Sequence, residues 1–141
     1  MNLNNYSTII LDCDGVIFDS NHLKIDAFRE ALSLFDQEIV EEFTCYVKAN
    51  FGTSRFYLIK VFLKDFLKID FQKTIYQNIL NAYSQNCISL YDQAKLTRGF
   101  TEFVTKYRDK KLYVASGSDQ SELRRVFEKR GIDQYFSKIF D

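Results

Sequence analysis

The sequence TIILDCDGVIFDS, residues 8–20, joins a short apolar run to an acidic loop. The run over residues 8–12 is typical of a buried parallel β-strand, and Gly15 permits a sharp change of direction after it. Asp12 and Asp14 therefore stand at the carboxyl end of a strand, where open α/β sheets bind their ligands. Taken alone, such a pair is also compatible with the capping of a loop, because short motifs recur by chance.

A second apolar run, residues 111–115, ends in Ser116-Gly117-Ser118 and precedes a segment with helical spacing. We predict a strand here, followed by a helix that Ser118 or Asp119 caps. The Ser116 hydroxyl and the backbone amide of Gly117, ahead of a helix N-terminus, would suit a phosphate group. The alternative for this loop is helix capping alone.

Helical spacing dominates the long interval between the two runs. Residues 21–93 contain four amphipathic segments, which indicate a helical bundle. Residues 94–140 then alternate strand and helix, which predicts a parallel sheet with crossover helices. The predicted fold class is α/β, with a Rossmann-like parallel sheet from residues 1–20 and 94–141. Residues 21–93 are predicted to form an inserted α-helical cap.

The composition excludes several classes of protein. Nineteen Lys and Arg balance nineteen Asp and Glu, and this zero net charge argues against a nucleic-acid binder held by bulk charge. No apolar run reaches the roughly 18 residues of a transmembrane helix, and the polar first residues lack a signal pattern. We therefore expect a cytoplasmic protein without a membrane partner. The three cysteines form no CxxC pair, so we expect reduced, mostly buried thiols.

The order and content of these motifs resemble the haloacid dehalogenase-like (HAD) superfamily. The DxDGVxxDS motif of that family is present at residues 12–20, and its second motif, an apolar strand ending in Ser or Thr, at residues 114–118. The segment RGIDQYF, residues 130–136, is similar to the family's segment before the third core strand. The likeness extends to the branch with a helical cap, which contains phosphoglycolate phosphatase and β-phosphoglucomutase.

The resemblance implies a function and roles for four residues. Asp12 would be the nucleophile that forms an aspartyl-phosphate. Asp14 would be the general acid and then the general base, and its presence favours phosphoryl transfer over dehalogenation. Mg²⁺ would bind the Asp12 carboxylate and the Asp14 backbone carbonyl, while Ser116 and the Gly117 amide hold the phosphoryl group. The chain would then be a Mg²⁺-dependent phosphatase of a small phosphomonoester, such as phosphoglycolate or a sugar phosphate.

One residue of the predicted cap is a further candidate for binding substrate. Arg55 ends the loop FGTSR, residues 51–55, which resembles the specificity loop of this branch. Its guanidinium would suit the distal anionic group of a phosphorylated metabolite. The alternative is a solvated arginine at the start of a helix. His22, the only histidine, follows the first motif and is left out of the predicted site.

The resemblance also shows what the sequence lacks. The family's third motif supplies a lysine and its fourth supplies acids that complete the magnesium shell, and neither is present. Asp141 would stand two strands from Asp12, on the order of 10 Å away, and would be a poor ligand. Lys110, Lys111 and Lys138 precede their strands, away from the site. We expect part of a longer protein, whose first strand is an exposed apolar edge that allows self-association.

Three alternatives therefore remain open. A phosphomutase would share the first half-reaction and then return the phosphoryl group to substrate. A non-catalytic HAD-like binding module would keep the first motif but lack its cations, on which phosphoryl transfer depends. An inactive fragment of a phosphatase would show neither activity.

Overall fold

The computed structural model describes residues 3–140, and the chain divides into two compact units. The α/β unit comprises Met1–Ser20 and Ala94–Asp141, and the helical unit comprises Asn21–Gln93. Asp141, which is predicted to be a poor metal ligand, lies outside the described residues. In chain order the elements are β1 (Thr8–Leu11), β2 (Phe18–Asp19), α1 (Asn21–Ala31), α2 (Gln37–Ala49), α3 (Arg55–Val61), a π-helical turn (Phe62–Phe66), α4 (Lys73–Gln93), β3 (Lys95–Leu96), α5 (Phe100–Lys106), β4 (Lys111–Ala115), α6 (Gln120–Lys129), a 3-10 turn (Asp133–Tyr135) and β5 (Lys138–Phe140).

Three parallel strands form the main sheet of the α/β unit, in the order β1-β4-β5. Leu11 pairs with Val114, and Ala115 pairs with Phe140, so the three strands end at the same edge of the sheet. The strand order matches the expectation that the third strand lies two positions from the first. The α/β fold class with a parallel sheet, predicted from the alternation of strand and helix, is confirmed.

The burial of β1 differs from the prediction. The sequence predicts a buried strand over residues 8–12, but β1 ends at Leu11 and alternates between exposed and half-buried positions. Ile10 is 63% exposed, whereas Leu112 and Val114 of β4 are buried. The reason is position, because β1 lies at an edge among the described strands. The expectation of an apolar edge strand is therefore met in the part of the chain that the structure describes.

A short antiparallel ribbon joins the two chain segments that flank the insert, and no pattern in the sequence predicts it. Phe18 of β2 pairs with Leu96 of β3, and Asp19 pairs with Lys95. The Thr97 amide extends this pairing by donating to the Ile17 carbonyl at 2.9 Å. Two-residue strands are too short to show a hydrophobic period, so the sequence contains no pattern that would reveal them.

Helix α6 begins and ends at the residue types that the sequence offers for those positions. The Asp119 carboxylate accepts the amides of Ser121 and Glu122 at 2.9 and 3.1 Å, and so caps the helix. Gly131 follows the last turn with φ of +65°, a left-handed conformation that favours glycine. Of the two predicted caps, the structure therefore selects Asp119, and the Ser118 hydroxyl has another partner.

The helical unit contains four α-helices, as predicted, built around aromatic side chains. Phe28 stacks on Tyr83 at 4.0 Å between ring centroids, and Phe43 contacts both Phe28 and Phe62 at 5.3 and 4.9 Å. Phe35 lies beyond Ala31, the last residue of α1, and packs edge-on against Phe62. These aromatic side chains form the centre of the bundle.

The burial of the cysteines agrees with the expectation of mostly buried thiols. Cys13 and Cys87 are buried, whereas Cys45 is exposed on α2. Among residues 3–140, no helix is both long enough and apolar enough to span a bilayer.

Candidate active site

Asp12 is the first residue beyond β1 and is exposed. Its Oδ1 accepts the backbone amide of the next residue, Cys13, at 2.7 Å. This local bond turns the carboxylate back toward its own loop, and the strand register places it beside the end of β4. An exposed carboxylate at the carboxyl edge of a parallel sheet is accessible to a ligand, as the sequence predicts.

The loop after Asp12 is a tight turn organised by backbone hydrogen bonds. The Cys13 carbonyl accepts the amides of Ile17 and Phe18 at 2.9 and 3.0 Å, and the Gly15 amide donates to the Phe18 carbonyl at 2.7 Å. Gly15 has φ of +77°, so a left-handed residue is required where the chain reverses. The turn gives Asp14 a defined backbone position between β1 and β2.

Hydroxyl groups hold the Asp14 carboxylate at both oxygens. Ser20 donates through Oγ to Asp14 Oδ1 at 2.7 Å, and Ser118 donates to Asp14 Oδ2 at 3.2 Å. Ser20 and Ser118 are fully buried, and Asp14 is half-buried. The structure therefore brings the two predicted motifs into direct contact.

The loop after β4 is the second component of the site. Ser116 is nearly buried, its amide donates to the Phe140 carbonyl at 3.1 Å, and its Oγ accepts the Ser118 amide at 3.2 Å. Gly117 is exposed between the two serines, ahead of the N-terminus of α6. The loop thus presents a serine and an exposed glycine next to the end of β1.

The sequence alone does not identify the contribution of Ser20 and Ser118. Both residues lie within the quoted motifs, but the local pattern predicts only a helix cap for Ser118 and only the end of its motif for Ser20. The available signal was the spacing Ser116-x-Ser118, with Asp119 ready to take over the capping of α6. The acceptor of the Ser118 hydroxyl is 104 residues away in sequence, so no local pattern identifies it.

Arg55 is placed within the helical unit. It is the first residue of α3 and is only 5% exposed. Its Nη1 donates to Ser84 Oγ at 2.9 Å, and its guanidinium lies 5.2 Å from the centre of the Tyr83 ring. The alternative of a solvated arginine at a helix start is therefore wrong. Contact between Arg55 and a substrate stays a prediction.

The oxygen donors near Asp12 are of the type that a hard cation such as Mg²⁺ binds, but they are few. No group of three or more His, Cys, Asp or Glu side chains is arranged as a metal site among residues 3–140. Mg²⁺ keeps several waters and commonly takes only one or two protein carboxylates together with substrate phosphate oxygens. The exposed Asp12 carboxylate and the backbone oxygens of its loop fit that requirement.

Lysines near the sheet are placed as the sequence predicts, at the amino ends of their strands. Lys111 is the first residue of β4, and Lys138 is the first residue of β5. Lys110 donates to the carbonyls of Tyr6 and Asn4 at 2.6 and 3.3 Å, and the Lys138 ammonium lies 4.8 Å from the centre of the Phe140 ring. The backbone of each of these lysines therefore lies at the end of the sheet opposite Asp12, whereas the Lys138 side chain extends along β5 toward Phe140.

Solved structures share the fold of this chain at low sequence identity. A predicted phosphoglycolate phosphatase from Haemophilus somnus matches with a TM-score of 0.77 and 14% identity, over 99% of this chain and 64% of that chain. CbbY from Rhodobacter sphaeroides, solved in complex with phosphate, matches with a TM-score of 0.70 and 20% identity, over 94% and 62%. YfnB from Bacillus subtilis, solved bound to magnesium, matches with a TM-score of 0.68 and 14% identity, over 96% and 64%.

The chain thus spans less than two thirds of the length of these structures. Among curated proteins, no sequence matches it. A family model for haloacid dehalogenase-like hydrolases matches residues 6–141, which is nearly the whole sequence. The expected resemblance is therefore confirmed, and the chain belongs to the haloacid dehalogenase-like hydrolases.

Proposed function

We propose that this hydrolase is a Mg²⁺-dependent phosphatase of a small phosphomonoester, acting through an aspartyl-phosphate. The observation that supports it most directly is the hydrogen bond between Ser118 and Asp14. That bond joins the loops after β1 and β4, so two aspartates and a serine–glycine loop meet at one edge of the sheet. Such an arrangement offers a nucleophile, a proton-transfer group and a phosphate cradle together.

Asp12 is the nucleophile in this proposal. Its carboxylate is exposed at the strand end, and one oxygen is held by the Cys13 amide. The other oxygen attacks phosphorus, the bond to the leaving oxygen breaks, and an acyl phosphate forms on Asp12. Water then attacks the same phosphorus, which regenerates the carboxylate and releases inorganic phosphate.

Asp14 moves the protons of both steps. It gives a proton to the leaving alkoxide in the first step and takes one from the attacking water in the second. Ser20 and Ser118 donate to its two oxygens, so the carboxylate is held in a defined orientation for both transfers.

The remaining predicted residues bind the substrate. Ser116 and the exposed Gly117 would hold the transferring phosphoryl group, and Arg55 would pair with a distal anionic group of phosphoglycolate or a sugar phosphate. Mg²⁺, bound by the Asp12 carboxylate and the Asp14 backbone carbonyl, would supply positive charge against the phosphoryl oxygens. A cytoplasmic location stays a prediction.

Phosphate release from a panel of small phosphomonoesters tests the proposal. We expect release that requires Mg²⁺ and disappears in Asp12→Asn. Asp109→Asn is the matched control, because Asp109 is an exposed aspartate in the turn before β4, at the amino end of the sheet. Release that is equal in Asp12→Asn and Asp109→Asn, or absent from the wild type, would refute a phosphatase activity of this chain.

The positions of the lysines favour a second candidate, a non-catalytic binding module. Lys111 begins β4 and Lys138 begins β5, so the backbone of both lysines lies at the end of the sheet opposite Asp12. A beryllium fluoride adduct on Asp12, observed by ¹⁹F NMR, would favour the phosphatase, since it mimics the acyl phosphate. A phosphomutase would form the same adduct and is separated by product analysis with a sugar phosphate.

A further inference from the structure

We propose that Ser118 is a positioning residue that orients the Asp14 carboxylate for proton transfer. This inference rests on the proposed function, because the proton-transfer role of Asp14 is part of that proposal. Neither of the two motifs assigns a function to Ser118, which follows the serine that would contact phosphate.

The two hydroxyls that hold Asp14 fix its orientation in a way that one could not. Ser20 reaches Oδ1 at 2.7 Å and Ser118 reaches Oδ2 at 3.2 Å. Rotation of the carboxylate about its last torsion would break at least one of these bonds. Ser20 also lies 3.3 Å from the Phe18 carbonyl, and a hydroxyl has a single proton to donate. Ser118 therefore continues to hold Asp14 whenever Ser20 turns to Phe18.

Ser118 itself is held by the loop after β4. Its amide donates to Ser116 Oγ at 3.2 Å, and the Ser116 amide donates to the Phe140 carbonyl of β5 at 3.1 Å. A series of hydrogen bonds thus runs from β5 through both serines to Asp14. Ser118 is 1% exposed, so water competes little for its hydroxyl.

Helix capping does not account for the Ser118 hydroxyl. Asp119 accepts the first amides of α6, and its carboxylate is sufficient for that purpose. The buried hydroxyl of Ser118 instead points to a carboxylate on another loop. Asp119 therefore serves the capping of α6, and the Ser118 hydroxyl serves the orientation of Asp14.

The test compares Ser118→Ala and Ser118→Thr with the wild-type chain. Ser118→Ala removes the donor to Asp14 but retains the amide that bonds to Ser116. Crystal structures of the three proteins report the Asp14 side-chain conformation without any need for activity. Steady-state hydrolysis of p-nitrophenyl phosphate with Mg²⁺ reports kcat and KM. Ser137→Ala is the control, because Ser137 is exposed and precedes β5 at the amino end of the sheet.

We expect Asp14 to leave its wild-type orientation in Ser118→Ala, with kcat reduced by roughly 10- to 100-fold and KM unchanged. Ser118→Thr should restore both the orientation and most of kcat, whereas Ser137→Ala should alter neither. An Asp14 conformation in Ser118→Ala that matches the wild type would overturn the assignment. If the wild type hydrolyses nothing, the proposed function fails, and the crystallographic comparison still decides whether Ser118 positions Asp14.

A second variant keeps the inference testable if Ser118→Ala does not fold. Ser20→Ala leaves Ser118 as the donor to Asp14, so Oδ2 should remain within hydrogen-bond distance of the Ser118 hydroxyl. Loss of that contact in a folded Ser20→Ala protein would show that Ser20 alone orients Asp14, and would equally overturn the proposal.

Discussion

Replacement of Arg55 by alanine should destabilise the helical unit even where no substrate is present. Arg55 is 5% exposed, donates to Ser84 Oγ at 2.9 Å and lies 5.2 Å from the Tyr83 ring centre. A hydrogen bond from a charged donor contributes about 1.5–3 kcal/mol, and a partly desolvated cation–π contact contributes about 0.5–2 kcal/mol. The desolvation of the guanidinium offsets part of that sum. We expect a net loss of about 2 kcal/mol.

Urea unfolding followed by far-ultraviolet circular dichroism measures this loss. Lys60→Ala is the control, because Lys60 is exposed on the same helix α3, and its free energy of unfolding should stay within about 0.5 kcal/mol of the wild type. A double-mutant cycle with Ser84→Ala should give a coupling of about 1 kcal/mol. An Arg55→Ala protein as stable as Lys60→Ala would refute the structural role of Arg55 and leave substrate binding as its only proposed function.

Three further outcomes follow from the described residues. We propose self-association through the β1 edge, and Ile10→Lys should weaken it in sedimentation velocity. Equal weakening by Leu34→Lys, at a position 97% exposed in the helical unit, would contradict an edge-specific contact. The hydrogen bond from Arg29 lowers the pKa of Glu41. Its contribution to stability is therefore present above the pKa of unfolded Glu41 and is lost as pH falls through the lowered value. The stability difference between wild type and Glu41→Gln should accordingly exist at neutral pH and vanish in acid, and a constant difference would refute this. Gly131→Ala, at φ of +65° with nothing within 4 Å of the added Cβ, should cost about 1–2 kcal/mol of backbone strain in urea unfolding, and an unchanged midpoint would contradict it.

Local patterns were sufficient to predict the framework of the site. The run before Asp12 and the run before Ser116 have the composition of strands, and parallel strands end at one edge, so the meeting of their loops followed from topology. Strand β4 was predicted at its observed bounds, 111–115. Helix α6 was predicted because its apolar residues recur at helical spacing between an aspartate and a glycine.

Long-range partners account for what could not be predicted. The burial of Arg55 depends on Ser84, which is 29 residues away on α4. The exposure of Ile10 depends on the absence of a further described strand beside β1, a property that a four-residue apolar run does not encode. The acceptor of the Ser118 hydroxyl depends on how two loops meet. In each case the sequence gives the residue type, but the burial and the hydrogen-bond partners of the side chain depend on tertiary packing.

The helical insert begins next to the candidate site, whose loops are held by hydrogen bonds within the α/β unit. The insert begins directly after Ser20, whose hydroxyl donates to Asp14, the proposed proton-transfer group. Movement of the chain at this junction would therefore disturb the hydrogen bond to Asp14. The ribbon of β2 and β3 opposes this, because Phe18 pairs with Leu96 on the returning chain and the Thr97 amide bonds to the Ile17 carbonyl. Both ends of the insert are thereby anchored within the α/β unit. Hydrogen bonds within that unit thus hold the loop that contains Asp14, and a long helical segment can follow the proposed catalytic motif directly.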